Sequence, residues 1–160
     1  MLFNLINFFL SLCMKKENLN NDIIFDKIND SKGILSAKKI SEKSLSNKKK
    51  VGCVIIDNNK IISTGYNQVP KLIKNKECEN NNNTYWYVIH AEADAILKLI
   101  HNPYKLNNPI MYTTLSPCKE CTKLILQTGI KKIVYNEEYK DTSCIDFLKK
   151  ANINIYKYLN

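Results

Sequence analysis

Two short apolar runs, VGCVIID at 51–57 and KIISTGY at 60–66, are rich in β-branched residues and are split by Asn58-Asn59. That combination predicts a β-hairpin. Upstream, ILSAKKISEKSL, from Ile34 to about Leu45, sets Ile34, Ala37 and Ile40 on one helical face, with Ser41, Ser44 and Leu45 near it. The lysines fall mostly opposite. Residues 67–84 form a long polar connection with Pro70 and four consecutive Asn at 80–83, closed by Tyr85-Trp86-Tyr87. A connection of that length inside a compact domain is as a rule functional or mobile. HAEADAILKLI (90–100) predicts a helix with Ala93, Ile96, Leu97 and Ile100 as its buried stripe. IMYTT (110–114) predicts a strand. Pro117 then opens a further helix, CKECTKLILQT, at the position where Pro is tolerated, and Gly129 sits where a C-terminal cap belongs. KIVY (132–135) is a strand, Asp141 or Thr142 caps a helix through about Ala151, and NIYKY (154–158) is a last strand.

Strands that alternate with helices in this way predict an α/β protein, a three-layer α/β/α sandwich around a parallel or mixed sheet of about five strands. The 160 residues suit one domain, and no internal repeat divides them. The expected organisation is an N-terminal extension over 1–30, partly disordered, and a single folded domain over 31–160. The opening MLFNLINFFLSLCM is too short for a membrane span and carries Asn4 and Asn7. It also lacks the basic start and the cleavage site of a signal peptide. Met14 followed by KKENLNND would be an ordinary soluble start, so a dispensable extension and a peripheral amphipathic helix both stay open.

Charge adds a partner class. The formal net charge of +9 points to an anion, whether nucleotide, nucleic acid or membrane surface. All 24 basic residues are Lys, however, which equally reads as drift in an Asn- and Ile-rich coding sequence. Without Arg, no side chain offers a planar bidentate fork to a phosphate, so Lys, hydroxyl, amide and backbone N–H groups must do that work. The six Cys do not make a disulfide scaffold, because the chain is too large and too rich in core-forming residues. Cys53 and Cys144 sit in apolar runs as core residues; Cys118 and Cys121 form a C-x-x-C, a metal or redox pair in a reduced compartment.

The chemistry concentrates in His90-Ala91-Glu92 and, 25 residues beyond the Glu, Pro117-Cys118-Lys119-Glu120-Cys121. Each half alone is weak. Together, at the starts of two consecutive helices, they offer tetrahedral zinc one imidazole and two thiolates, the latter favoured by free N–H groups at a helix start. His101, the only other His, lies about three turns further along the helix of His90, so no fourth ligand closes the site. Three ligands leave a position for water, whose pKa metal binding lowers toward ~7. Glu92, two residues past His90, reaches that water rather than the metal and suits general acid–base work.

H-x-E with P-C-x-x-C is the signature of zinc deaminases. Over roughly 35–158 the chain resembles the cytidine/deoxycytidylate deaminase superfamily, and within it the deoxycytidylate (dCMP) deaminases. The words that carry this are VGCVIIDNNKIISTGYNQVP, YWYVIHAEADAI and TTLSPCKECTKLILQTGIKKIVY. The resemblance implies one zinc ion on His90, Cys118 and Cys121, Glu92 as proton shuttle, Asn67 near the sugar, the Ala91 N–H on the pyrimidine carbonyl, and Tyr139 at the nucleotide. Lys43 stands where the family commonly has Arg and becomes a candidate phosphate or effector contact. Both glycines that usually follow the G-Y-N turn are missing, which weakens the expectation of control by dCTP and dTTP. The implied activity is hydrolysis of dCMP to dUMP and ammonia in the cytoplasm, by a homo-oligomer, often a hexamer. A deaminase of another base, nucleoside or tRNA is the alternative. A basic protein that binds nucleic acid around a structural zinc is a remote one; nucleic acid is not the expected partner.

Overall fold

The computed structural model describes residues 29–81, 83–100 and 105–159. The expectations about the first 28 residues and about His101 fall outside them. Strands β1 (Gly52–Asp57) and β2 (Lys60–Tyr66) form the expected hairpin. Asn58 and Asn59 both take positive φ (49° and 61°), the backbone of the two-residue turn whose twist matches the strands. A five-stranded mixed sheet is completed by β5 (Ile110–Leu115), β6 (Lys132–Glu137) and β7 (Asn154–Lys157), in the order β2-β1-β5-β6-β7. β1 pairs antiparallel with both β2 and β5, whereas β5, β6 and β7 run parallel.

Side chains alternate across this sheet, and each face buries its own cluster. Val54, Tyr112 and Val134 face helix α1 (29–41), which meets them with Ile34 and Ala37. Cys53, Ile55, Met111, Ile133 and Ile155 face the other way. Against them lie α2 (Ala91–Ile100), α3 (Lys119–Ile125) and α4 (Ser143–Lys150). The three-layer α/β/α expectation holds. Helix α1 covers the expected boundary at 30–31, because Asp30 is buried and accepts hydrogen bonds from Tyr112 (2.9 Å) and Tyr156 (2.6 Å). Lys132 lies 3.1 Å from the same carboxylate. One acid thus fastens α1 to three strands.

Several local expectations need correcting. Helix α1 stops at 41 rather than near Leu45, which is 65% exposed. The Ser44 hydroxyl instead donates to the Asn67 carbonyl (2.9 Å) and turns the chain toward β1. Helix α2 buries Ala91, Glu92, Asp94, Ala95 and Ile96, and leaves Leu97 and Ile100 exposed. The reason is that its polar side chains have inward work: Asp94 accepts from the Tyr66 N–H (3.2 Å) and pairs with Lys98 (2.7 Å). Pro117 precedes the N-cap, Cys118, rather than opening α3. At α4 the N-cap is Thr142, yet the side chain that works there is Asp141, which accepts from the Ser143 N–H and hydroxyl.

The 67–84 connection has structure of its own. β3 (Glu79–Asn80) and β4 (Asn83–Thr84) make a two-residue ladder, and Gln68 bridges Ile89. Val69, Cys78 and Val88 form a small core beneath the stacked rings of Tyr85 and Tyr87, whose centroids are 5.0 Å apart. Trp86 stands on this insert, 93% exposed.

Candidate active site

Parallel strands β5 and β6 end side by side, with Leu115 opposite Glu137. Ligands of α/β sheets lie beyond such carboxyl ends. Directly after β5 come Ser116, Pro117 and the α3 N-cap Cys118, and just beyond β6 comes Tyr139. The Ser116 hydroxyl accepts the Tyr139 N–H (2.8 Å), and the Ser116 N–H donates to Glu137 (2.9 Å), so the two strand ends are stitched together. Helix α2 is seated beside them by Gly65. A Cβ there would fall 2.1 Å from the Ala91 carbonyl oxygen, so only glycine allows this approach. That seat fixes His90, whose carbonyl accepts the first intrahelical bond of α2 (Asp94 N–H, 2.9 Å).

The Nδ1 of His90 comes 3.3 Å from the Cys118 sulfur and 3.5 Å from the Cys121 sulfur. All three donor atoms lie within 4.8 Å of one another, the only such group of metal ligands among the described residues. One imidazole nitrogen and two sulfurs suit tetrahedral zinc with a fourth position left over. The local field favours a thiolate at Cys118. A hydrogen bond from the Cys121 thiol, then one from His90, pulls the Cys118 thiol down to about 3. His90 is raised, chiefly by its hydrogen bond to Cys118. Cys121 is pushed up by donating to Cys118 and by burial. Glu92 is 4% exposed, with Oε2 3.5 Å from the Cys121 sulfur, and burial raises its carboxyl above the usual range. A carboxyl is a group suited to taking up and handing on a proton.

His90, Glu92 and Cys118 open into one cavity of about 290 Å³, which also takes in Asn67, Ala91 and Tyr139, while Cys121 is buried behind them. Asn67 is held at both ends of its amide: Oδ1 accepts the Val51 N–H (2.8 Å) and Nδ2 donates to the Lys49 carbonyl (2.9 Å). It braces the chain entering β1 as well as lining the cavity. Lys43 is not brought here. It lines a separate concavity of about 300 Å³ with Tyr66, Gln68 and Lys71. The cavity beside His90 instead has Lys48, Lys49 and Lys140 on its wall, with Ser46 and Ser116. Sequence reasoning passed over all five. The K-K-K run at 48–50, immediately before a strand, and the Ser of S-P-C were the available signals.

The described helices include none long and apolar enough to cross a membrane. The family described as the cytidine and deoxycytidylate deaminase zinc-binding region matches residues 27–137. The chain is 34% identical over 160 residues to the deoxycytidylate deaminase of Enterobacteria phage T4, covering 73% of this chain and 83% of that protein. It is 38% identical over 98 residues to the human deoxycytidylate deaminase, covering 56% of this chain and 54% of that one, about half its length. A crystal structure of dCMP deaminase from the cyanophage S-TIM5, in complex with dCMP and dUMP, superposes with a TM-score of 0.74. It has 31% identity, with 78% of this chain and 92% of that chain covered. With the His-Ala-Glu and Pro-Cys-x-x-Cys segments meeting in one cavity and the match running across both β-strand pairs that build it, the chain belongs to the cytidine and deoxycytidylate deaminase family.

Proposed function

We propose that this chain hydrolyses dCMP: the C4–amino bond breaks, water supplies the new oxygen, and dUMP and ammonia leave. The observation that carries the reading is a His/Cys/Cys donor set that, through His90 and Cys118, shares one cavity with a buried carboxyl and a wall of three lysines. The phage T4 deoxycytidylate deaminase and the cyanophage dCMP deaminase in complex with dCMP and dUMP support the same choice. His90, Cys118 and Cys121 would hold zinc, which supplies Lewis-acid activation of water when bound. Glu92 takes a proton from the attacking water on its carboxylate, passes it to the ring nitrogen, and later gives one to the departing amine. Its raised affinity for protons fits both halves of that task. The Ala91 N–H, in the unpaired first turn of α2, would donate to the pyrimidine carbonyl. Asn67 and Tyr139 would meet the sugar, and the lysines the phosphate.

Lys43, in its own concavity, would meet an anionic effector rather than the substrate. A homo-oligomer belongs to the same proposal, supported by Leu97, Ile100 and Leu124 left exposed on neighbouring helices. So does a cytoplasmic setting, which keeps the thiols reduced. The test is kcat/KM for dCMP and for deoxycytidine at low and high salt. dCMP should be preferred, and the preference should shrink as salt screens the lysines. Equal values at low salt would make the protein a nucleoside deaminase instead.

A further inference from the structure

We infer that Glu79, on the insert, is a positioning residue for substrate selection: it holds the 46–49 turn that places lysines on the cavity wall. The inference rests on the reading that those lysines meet the phosphate.

Glu79 lies 32 residues from the turn in sequence and belongs to the small ladder, next to Cys78. Cys78 is 1% exposed in the insert's core, and its carbonyl accepts the Tyr85 N–H (2.9 Å), so the backbone bearing Glu79 is fixed. From there the two carboxylate oxygens take two donors of the turn. Oε1 accepts the Ser46 hydroxyl, and Oε2 accepts the Asn47 N–H (3.2 Å). Ser46 is itself buried, and its oxygen accepts the Lys49 N–H (3.2 Å). The chain of bonds therefore runs from the insert's core through Glu79 and Ser46 to the backbone of Lys49. Lys48 lies between, and both lysines line the cavity. The far side of the turn is tied by the Lys49–Glu137 ion pair and by Asn67. Held at both ends, the turn presents its cations in one arrangement. Released at the Glu79 end, those cations would sample several, and binding would then have to supply the ordering. None of this touches His90, Glu92, Cys118 or Cys121, so the chemical step should be spared.

Glu79→Ala and Glu79→Gln should be assayed with dCMP and with deoxycytidine, with zinc content measured in parallel. For Glu79→Ala, KM for dCMP should rise roughly tenfold, the factor commanded by one hydrogen bond to a charged group. The kcat, the zinc content and the KM for deoxycytidine should stay near wild type. Glu79→Gln keeps one acceptor and should fall between, and it carries the test if the Ala variant does not fold. An equal rise in KM for both substrates, a fall in kcat alone, or an unchanged KM for dCMP would overturn the inference. The double variant Lys48→Ala/Lys140→Ala separates this from the phosphate reading. If that variant loses the dCMP preference while the Glu79 variants keep it, Glu79 has no positioning role and the phosphate reading survives. If the lysine variant keeps the preference, the phosphate reading falls, and the inference with it.

Discussion

Replacing Gly65 by Ala adds one methyl group and should cost the enzyme most of its rate. The ideal Cβ falls 2.1 Å from the Ala91 carbonyl oxygen and 2.4 Å from the Ala95 backbone nitrogen, both parts of α2 rather than flexible side-chain ends. A carbon–oxygen contact of this kind ordinarily sits at about 3.3 Å, so helix and strand must separate by about 1.2 Å. Overpacking of that sort costs about 1–3 kcal/mol of stability. The larger effect is on chemistry, because the first turn of α2 carries Ala91 and Glu92 and follows His90. A misplacement of about 1 Å can cost on the order of 100-fold in rate. The assay is kcat/KM for dCMP on zinc-loaded protein, alongside a urea unfolding curve. Gly129→Ala is the control: Gly129 has φ +77° and nothing within 4 Å of its would-be Cβ. There the same methyl strains only the backbone, by about 1–2 kcal/mol, and activity should survive. Wild-type kcat/KM in Gly65→Ala, or equal losses in the two variants, would refute the account of how α2 is seated.

Cys118→Ala and Cys121→Ala should each lose the bound zinc together with activity, as metal analysis of the purified proteins will show; full zinc in either removes that residue from the ligand set. Glu92→Gln should retain zinc and fold while losing about 10²–10⁴ in kcat, since it can no longer shuttle a proton. Asp141 supplies a pH signature. The Ser143 hydroxyl, then the Lys119 ammonium, hold its carboxyl down to about 2 from the ordinary 3.8. Between those values the unfolded chain binds a proton that the folded chain does not, so stability rises with pH across that window. Asp141→Asn should therefore be less stable than wild type at neutral pH, with the gap in urea midpoint closing as pH falls from 3.8 to about 2. A gap that persists below that range would show that Asp141 acts through packing.

The order of elements was legible because each strand obeys a simple alternation. Cys53 and Ile55 face one layer while Val54 faces the other, and both layers demand apolar side chains. The metal donors were legible for a similar reason, since each pair or single ligand sits at a helix start marked by local sequence. Periodicity failed where function overrides it. In α2 the inward positions include two carboxylates, Glu92 and Asp94, while Leu97 and Ile100 point outward, so an apolar stripe could not be the buried one. The insert hid its ladder because strands of two residues have no period to detect. Lys48, Lys49 and Lys140 escaped because they converge only in three dimensions. Strand β5 brings the chain entering β1 and the chain leaving β6 to the same end of the sheet.

Trp86 has a practical consequence for anyone following this protein by optical spectroscopy. It is the sole tryptophan of the chain, it is 93% exposed, and its nearest ring among the described residues is the edge-on Tyr87 at 5.8 Å. Its indole already emits into water, so the usual red shift on denaturation will be small, and a fluorescence melt will under-report loss of the sheet. The same indole becomes a selective reporter of the insert: any quencher, ligand or second chain that reaches that surface will change its emission while the core stays silent.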